Sequence, residues 1–240
     1  MNYPVAGYGV SLRIYFLYRS KLRGIAPLEI KKMEIEDIKK ALWSDVTHVL
    51  LDMDGTIIDK HFDEYFWLTL MPQTYGEING LSLEESRAVL FPIYKAQECT
   101  LNWTDVYYWS RELGIDVASL KEGIGHLVKV YPYVLEFLKM LKEKNKKILL
   151  FTNAHVKTIE IKMNKAQLLG YFDGVVTSFD MGYPKEDIRF WQMAKEKIGF
   201  ESDTTLFIDD TIKVVDSAKN YGIKYVIHMN EQMKCYSELL

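Results

Sequence analysis

An α/β fold with a doubly wound parallel sheet is predicted by three features of this 240-residue chain. Short apolar runs recur at 47–51, 147–151, 174–177, 205–208 and 224–228, bounded by polar residues or glycine, as expected of strands buried on both faces of a parallel sheet. Segments of helical periodicity alternate with them, which makes βα units. One stretch, from His61 to about Val130, has helical character and no strand-like run, and it follows directly on the first strand and its turn. The expected organisation is a Rossmann-like core over residues 33–60 and 131–240, a helical cap over 61–130, and an accessory extension over 1–32.

The elements follow in chain order. In the extension Gly7, Gly9 and Gly24 stand among aromatics without a period; it reads either as an accessory segment or as sequence upstream of a true start at Met33. Residues 33–43 then form an amphipathic helix, because Ile35, Ile38, Ala41 and Leu42 share one face. After the strand at 47–51 comes the insert, with eleven aromatic residues between Phe62 and Trp109. Most of these rings must form the insert's own core. Phe66, Trp67, Trp103 and Tyr108 are the ones considered for contact with a ligand, since an aromatic face can stack on a base. The lysines at 142, 144, 146 and 147 read as the solvated end of a helix. Two later helices, ending before Gly170 and Gly199, each stop where a glycine can serve as C-cap.

Composition narrows the function. A hydrophobic content of 48% is ample for a core and excludes disorder as the main state. With 30 Lys and Arg against 33 Asp and Glu, the net charge of −3 lacks the basic excess that a nucleic acid polymer requires. Cys99 and Cys235 sit in no metal or redox spacing, which fits a reducing, cytoplasmic setting. No membrane association is expected: no apolar run reaches the roughly 18 residues of a span, and the first, at 5–18, is broken by Arg13. Its positive charges follow the apolar part, unlike a secretory signal; an interfacial anchor is the alternative.

Ligands of doubly wound sheets bind at the carboxyl ends of the strands. Asp52-Met-Asp54-Gly55-Thr56 follows the first strand, Thr152-Asn153 the second, and Asp209-Asp210 the fourth, with Lys185 opening the helix between. Four carboxylates, a hydroxyl and an ammonium thus converge on one edge. Like charges at about 4 Å repel by several kcal/mol unless a cation lies among them. An all-oxygen donor set with room for waters favours Mg²⁺ over Zn²⁺ or a Ca²⁺ cage. The remaining groups suit a phosphoryl group, with the Thr152 hydroxyl and backbone N–H groups on its oxygens, Lys185 against its charge, and an aspartate as nucleophile. Asp54 could protonate the leaving oxygen and then deprotonate the attacking water.

Asp52-x-Asp54-Gly55-Thr56, Thr152, Lys185 and Asp209-Asp210, in this order and each after its strand, resemble the four motifs of the haloacid dehalogenase (HAD) superfamily. The first motif alone arises by chance in roughly one chain in several hundred. Within the superfamily the chain resembles the bacterial purine 5′-nucleotidases acting on GMP and IMP, with supporting segments at 62–67, 101–103 with 108–109, 152–155, 182–187 and 206–210. The match covers about residues 44–228 and leaves 1–32 without a counterpart. The resemblance implies Asp52 as nucleophile and metal ligand, and Asp54 as acid/base with its backbone carbonyl on the metal. It implies Asp210 as a direct Mg²⁺ ligand, Asp209 in the outer shell, and Lys185 balancing the charge of Asp52 and phosphate. Thr152 and Asn153 would hold phosphate oxygens, and Gly55 would allow close backbone approach. His155 reads as an ordinary helix-start histidine.

The function so implied is Mg²⁺-dependent hydrolysis of a small phosphorylated metabolite, a purine nucleoside 5′-monophosphate, through an aspartyl-phosphate. Sugar phosphates, phosphoglycolate or pyrimidine nucleotides are the alternative substrates, and a phosphomutase shares both aspartates. Dehalogenation would need neither Asp54 nor a metal, and a non-catalytic phosphate-binding module would be expected to have lost Asp52, Asp54 or Lys185. A receiver-type signalling domain would place its acidic pair early and lack the insert.

Overall fold

The computed structural model describes residues 35–229. The expected extension at 1–32, the start of the first helix at Met33 and Cys235 lie outside the described residues. Five parallel strands form one sheet in the order β3-β2-β1-β4-β5: β1 His48–Leu51, β2 Lys147–Thr152, β3 Gly174–Thr177, β4 Thr205–Asp209 and β5 Tyr225–His228. Each of the five apolar runs is a strand. The order reverses between β1 and β4, whose residues pair in register from His48 with Thr205 to Leu51 with Ile208. A crevice for ligands opens at such a switch point.

Unbroken apolar strands arise here because both faces are covered. Val49 and Leu51 point into one core with Val134, Phe137, Leu138 and Ile159. Leu50 points into the other with Phe151, Phe190, Trp191 and Val215. Helix α1 (Ile35–Asp45) contributes Leu42 and Trp43 to the first core. Its C-terminal end is tied down by Lys146, whose Nζ donates to the carbonyls of Trp43 at 2.5 Å and Val46 at 2.7 Å. That corrects the reading of the lysine run as merely solvated. Lys146 finds carbonyls that a helix end leaves without partners.

Between β1 and β2 the chain is helical: α2 (His61–Tyr65), a π turn (Phe66–Leu70), α3 (Met71–Asn79), α4 (Leu83–Ala96), α5 (Val106–Leu113) and α6 (Val117–Gly123). Phe62, Phe66, Leu90, Val106, Trp109 and Val117 form a separate buried cluster that also takes in Ile161 of the core. The chain leaves and re-enters the core side by side, Asp59 N–H donating to Lys129 O and Tyr131 N–H to Ile57 O.

Helix α7 (Val134–Glu143) precedes β2, and α8 (Val156–Ala166) follows it. A short turn of helix, α9 (Ser178–Met181), then leads to α10 (Ile188–Ile198), with α11 (Ile212–Tyr221) after β4. Gly199 caps α10 in the left-handed region at φ 76°, as expected. The expectation at Gly170 fails: α8 stops at Ala166, and Gln167 takes the left-handed conformation at φ 55°. A non-glycine residue there costs about 1–2 kcal/mol. The early turn puts Leu168 into the core, and its burial offsets that cost.

Candidate active site

The end of β1 sits at the switch point, and the residues after it define the site. Asp52 N–H still bonds to the Ile208 carbonyl, which fixes the Asp52 backbone against β4. Gly55 then adopts φ 80°, and a Cβ there would overlap the Asp210 carboxylate. Only glycine lets the turn pass so close. Asp210 in turn forms an ion pair with Lys60, and Thr211 Oγ1 donates to its Oδ1 at 3.2 Å.

Lys185 organises the centre. Its Nζ is buried and donates to Asp52 Oδ1 at 2.5 Å, Asp209 Oδ2 at 2.7 Å and the Phe151 carbonyl at 3.0 Å. Burial alone would depress this lysine, but Asp209 and Asp52 outweigh it and raise its pKa, so it stays charged. Burial pushes both partners the other way: Asp52 is raised, and Asp209 is raised to about 8, with Lys185 opposing in each case. Oxygens of Asp52, Asp209 and Asp210 all lie within 4.8 Å of one another. This all-carboxylate set fits a small hard cation. Both oxygens of Asp209 are engaged by protein partners, its Oδ1 accepting from Thr211 N–H at 2.7 Å and its Oδ2 from Lys185 Nζ.

Thr152 and Asn153 lie beside this cluster. Thr152 is buried, and its Oγ1 accepts from Ala154 N–H at 3.0 Å. The Asn153 side chain turns to the lysine loop, where Oδ1 accepts from Lys185 N–H and Nδ2 donates to Glu186, both at 2.9 Å. Asn153 therefore positions Lys185 through its side chain. His155 is the N-cap of α8, its Nδ1 accepting from Lys157 N–H.

Asp54 stands apart from the three-carboxylate cluster. Its Oδ1 accepts from Lys162 Nζ at 2.5 Å, and Lys162 also pairs with Asp63, which in turn accepts from Lys121 Nζ at 2.9 Å. Burial raises Asp54 to about 6, against the pull of Lys162. A carboxyl near that value suits proton transfer close to neutrality. Burial also acts to raise Asp63, but Lys121 and Lys162 together hold it well below the usual carboxylate range.

Lys60, Asp63, Lys121 and Lys162 escape a reading of the sequence. One signal was there: Lys162 lies beside Ile159 and Met163 on the inward stripe of α8, and Lys121 shares a stripe with Val117 and Ile124. A lysine on an apolar face needs a buried partner.

Asp52, Asp54, Lys185 and Asp210 line a cavity of about 440 Å³ whose wall also includes four aromatic side chains, Trp67, Tyr94, Trp103 and Trp109. The π turn carries Trp67 to this wall, and such turns are frequent at functional sites. Of the rings singled out from sequence, Trp67 and Trp103 line the cavity, while Phe66 is fully buried in the insert's cluster and Tyr108 packs against that cluster.

The family model for haloacid dehalogenase-like hydrolases matches residues 46–222. Over 185 residues the chain is 38% identical to the GMP/IMP nucleotidase YrfG of Escherichia coli (strain K12), covering 77% of this chain and 83% of that protein. It is 22% identical over 190 residues to a phosphorylated carbohydrates phosphatase of Thermotoga maritima, covering 74% and 82%. Among solved structures, a HAD phosphatase from Thermococcus onnurineus superposes with a TM-score of 0.69 at 23% identity, covering 77% of this chain and 86% of the other. The matched span runs from the start of β1 to the end of α11 and so contains the whole carboxylate and lysine cluster. The chain belongs to the haloacid dehalogenase-like hydrolases, as a phosphatase of that family.

Proposed function

We propose that this phosphatase is a Mg²⁺-dependent 5′-nucleotidase acting on purine nucleoside monophosphates of the GMP and IMP type. The observation that carries the reading is a single cavity lined both by Asp52, Lys185 and Asp210 and by four aromatic side chains. A phosphate suits the charged groups and a planar base the rings. The identity to a nucleotidase over most of the chain supports the same substrate class.

Asp52 attacks phosphorus, and the bond from phosphorus to the 5′ oxygen breaks as Asp54 gives that oxygen a proton. Water then attacks the aspartyl-phosphate, giving a proton back to Asp54, and phosphate leaves with Asp52 regenerated. Lys185 balances charge on Asp52 and the phosphoryl oxygens, and the Thr152 hydroxyl with the Asn153 backbone N–H holds those oxygens. Asp52, Asp210 and the Asp54 carbonyl would hold Mg²⁺, with Asp209 behind them. The bound ion supplies positive charge that lets an anionic nucleophile approach an anionic phosphate. The helical insert at 61–130 acts as the cap, its aromatic wall closing off the cavity.

Phosphate release with Mg²⁺ from GMP, IMP, AMP, UMP, phosphoglycolate and sugar phosphates tests this, with Asp52→Asn as control. Preference for GMP and IMP, abolished in the control and by EDTA and restored by Mg²⁺, is expected. Turnover by Asp52→Asn would remove the nucleophile assignment, and preference for a sugar phosphate would move the substrate class to that of the Thermotoga maritima relative.

A further inference from the structure

Lys162 is fully buried, yet it is not part of the cluster of Lys185 with Asp52 and Asp209. It projects from α8, the helix that starts just beyond Thr152. Its ammonium donates to Asp54 Oδ1 at 2.5 Å and to Asp63, and it stands 4.9 Å from the centre of the Phe62 ring. Burying a cation is costly, and a buried ion pair contributes little stability that an apolar side chain of similar volume would not. An inward lysine at this position therefore calls for a role other than packing.

The geometry at Asp54 supplies one. Lys162 occupies Oδ1, and among the described residues no protein group bonds Oδ2, although Asp54 lines the cavity. The carboxylate is thus clamped by one oxygen and presents the other to the ligand. Asp54 is not among the three carboxylates, Asp52, Asp209 and Asp210, whose oxygens lie within 4.8 Å of one another. Asp63, itself paired with Lys121 at 2.9 Å, also pairs with the ammonium, so Lys162 is held by two carboxylates.

We propose that Lys162 is a positioning residue for proton transfer: it sets the orientation in which Asp54 delivers a proton to the leaving oxygen. The proposal rests on the reading of Asp54 as the acid. It predicts a dependence on the leaving group that a merely structural lysine would not produce. An alcohol leaves only with protonation, whereas p-nitrophenolate leaves readily without it.

The experiment compares kcat/KM, which reports the first step, for the best alkyl phosphate of the substrate panel and for p-nitrophenyl phosphate, both with Mg²⁺. Wild type, Lys162→Met, Lys162→Arg and Asp54→Asn are compared, with circular dichroism and Tm to establish folding. Lys162→Met is expected to lose about 10²- to 10³-fold on the alkyl phosphate, the range of general acid catalysis, and less than about tenfold on p-nitrophenyl phosphate. Lys162→Arg, which keeps the charge and the folded interior if Met does not, should recover part of the alkyl phosphate activity. Asp54→Asn should show the same split as Lys162→Met. A split in Asp54→Asn with equal losses on both substrates in the Lys162 variants would overturn the role of Lys162 alone. Equal losses in Asp54→Asn would overturn the acid assignment, and the proposal with it.

Discussion

Among the described residues two lysines lie buried between pairs of aspartates, and the two arrangements differ in how the chain builds them. Lys185 sits between Asp52 and Asp209 with the Phe151 carbonyl as a third acceptor, and every member belongs to the sheet core. Lys162 sits between Asp54 and Asp63, and Asp63 comes from the helical insert, where it also holds Lys121. The first is assembled by topology, since parallel strands bring their carboxyl ends to one edge. The second is assembled by packing the insert against α8. The same charge pattern can therefore follow from strand order or from tertiary docking, and strand order names the partners in the sequence whereas docking leaves only a lysine on an apolar stripe.

The largest test of that difference is removal of each central cation. Lys185→Met leaves Asp52 and Asp209 buried with no cation between them and should cost about 3–5 kcal/mol of stability in urea unfolding, as breaking a buried pair does. Activity should vanish with it. A loss under about 1 kcal/mol would mean that the cluster is far more hydrated than its burial implies, and the contrast with the insert's network would collapse.

A second, smaller effect concerns Asp63 and has a definite sign with pH. Burial works to raise this carboxyl, yet Lys121 and Lys162 hold its folded pKa below its unfolded value. Such a group contributes stability that is present above the unfolded value, about 3.9, and is lost as pH falls toward the depressed folded value. Asp63→Asn should therefore cost about 1.5–3 kcal/mol at pH 7, the worth of a charge-assisted hydrogen bond. The difference from wild type should shrink steadily below about pH 4. A pH-independent difference would show that Asp63 acts through shape and not through charge.

These contrasts explain what could be read in advance. The five strands were legible because strands buried on both faces cannot avoid unbroken apolar runs, and Val49, Leu50 and Leu51 illustrate why. Asp52, Asp209 and Lys185 come together because each is tied to a strand end, so their meeting follows once the sheet order is right. Asn153 was legible as a site residue but not in its manner of acting, because the orientation of its amide depends on Lys185 and Glu186 more than 30 residues away. Lys146 looked like one more solvated lysine; the carbonyls it binds belong to α1 and its following turn, about 100 residues earlier. Gln167 ends α8 ahead of a glycine because the burial of Leu168 decides the turn, and local propensity does not report burial.

Lys121 offers the finest test, because its surroundings divide charge from packing. It is buried with one carboxylate partner, Asp63, and its ammonium lies 4.6 Å from the centre of the Phe66 ring, 5.2 Å from Phe62 and 5.4 Å from Trp67. Burial lowers its pKa despite Asp63, whereas two carboxylates raise that of Lys162 against the same burial. The cation therefore leans on ring faces where Lys162 leans on anions. Methionine matches the lysine stem and makes favourable sulfur contacts with aromatic rings, and Asp63 would keep Lys162. Lys121→Met should then cost only about 1 kcal/mol in urea unfolding, well short of Lys185→Met. A cost equal to that of Lys185→Met would mean that Lys162 alone cannot satisfy Asp63, and that the insert's network is a single unit of four charges. A cost near zero would mean that the aromatic box holds the insert together without its cation.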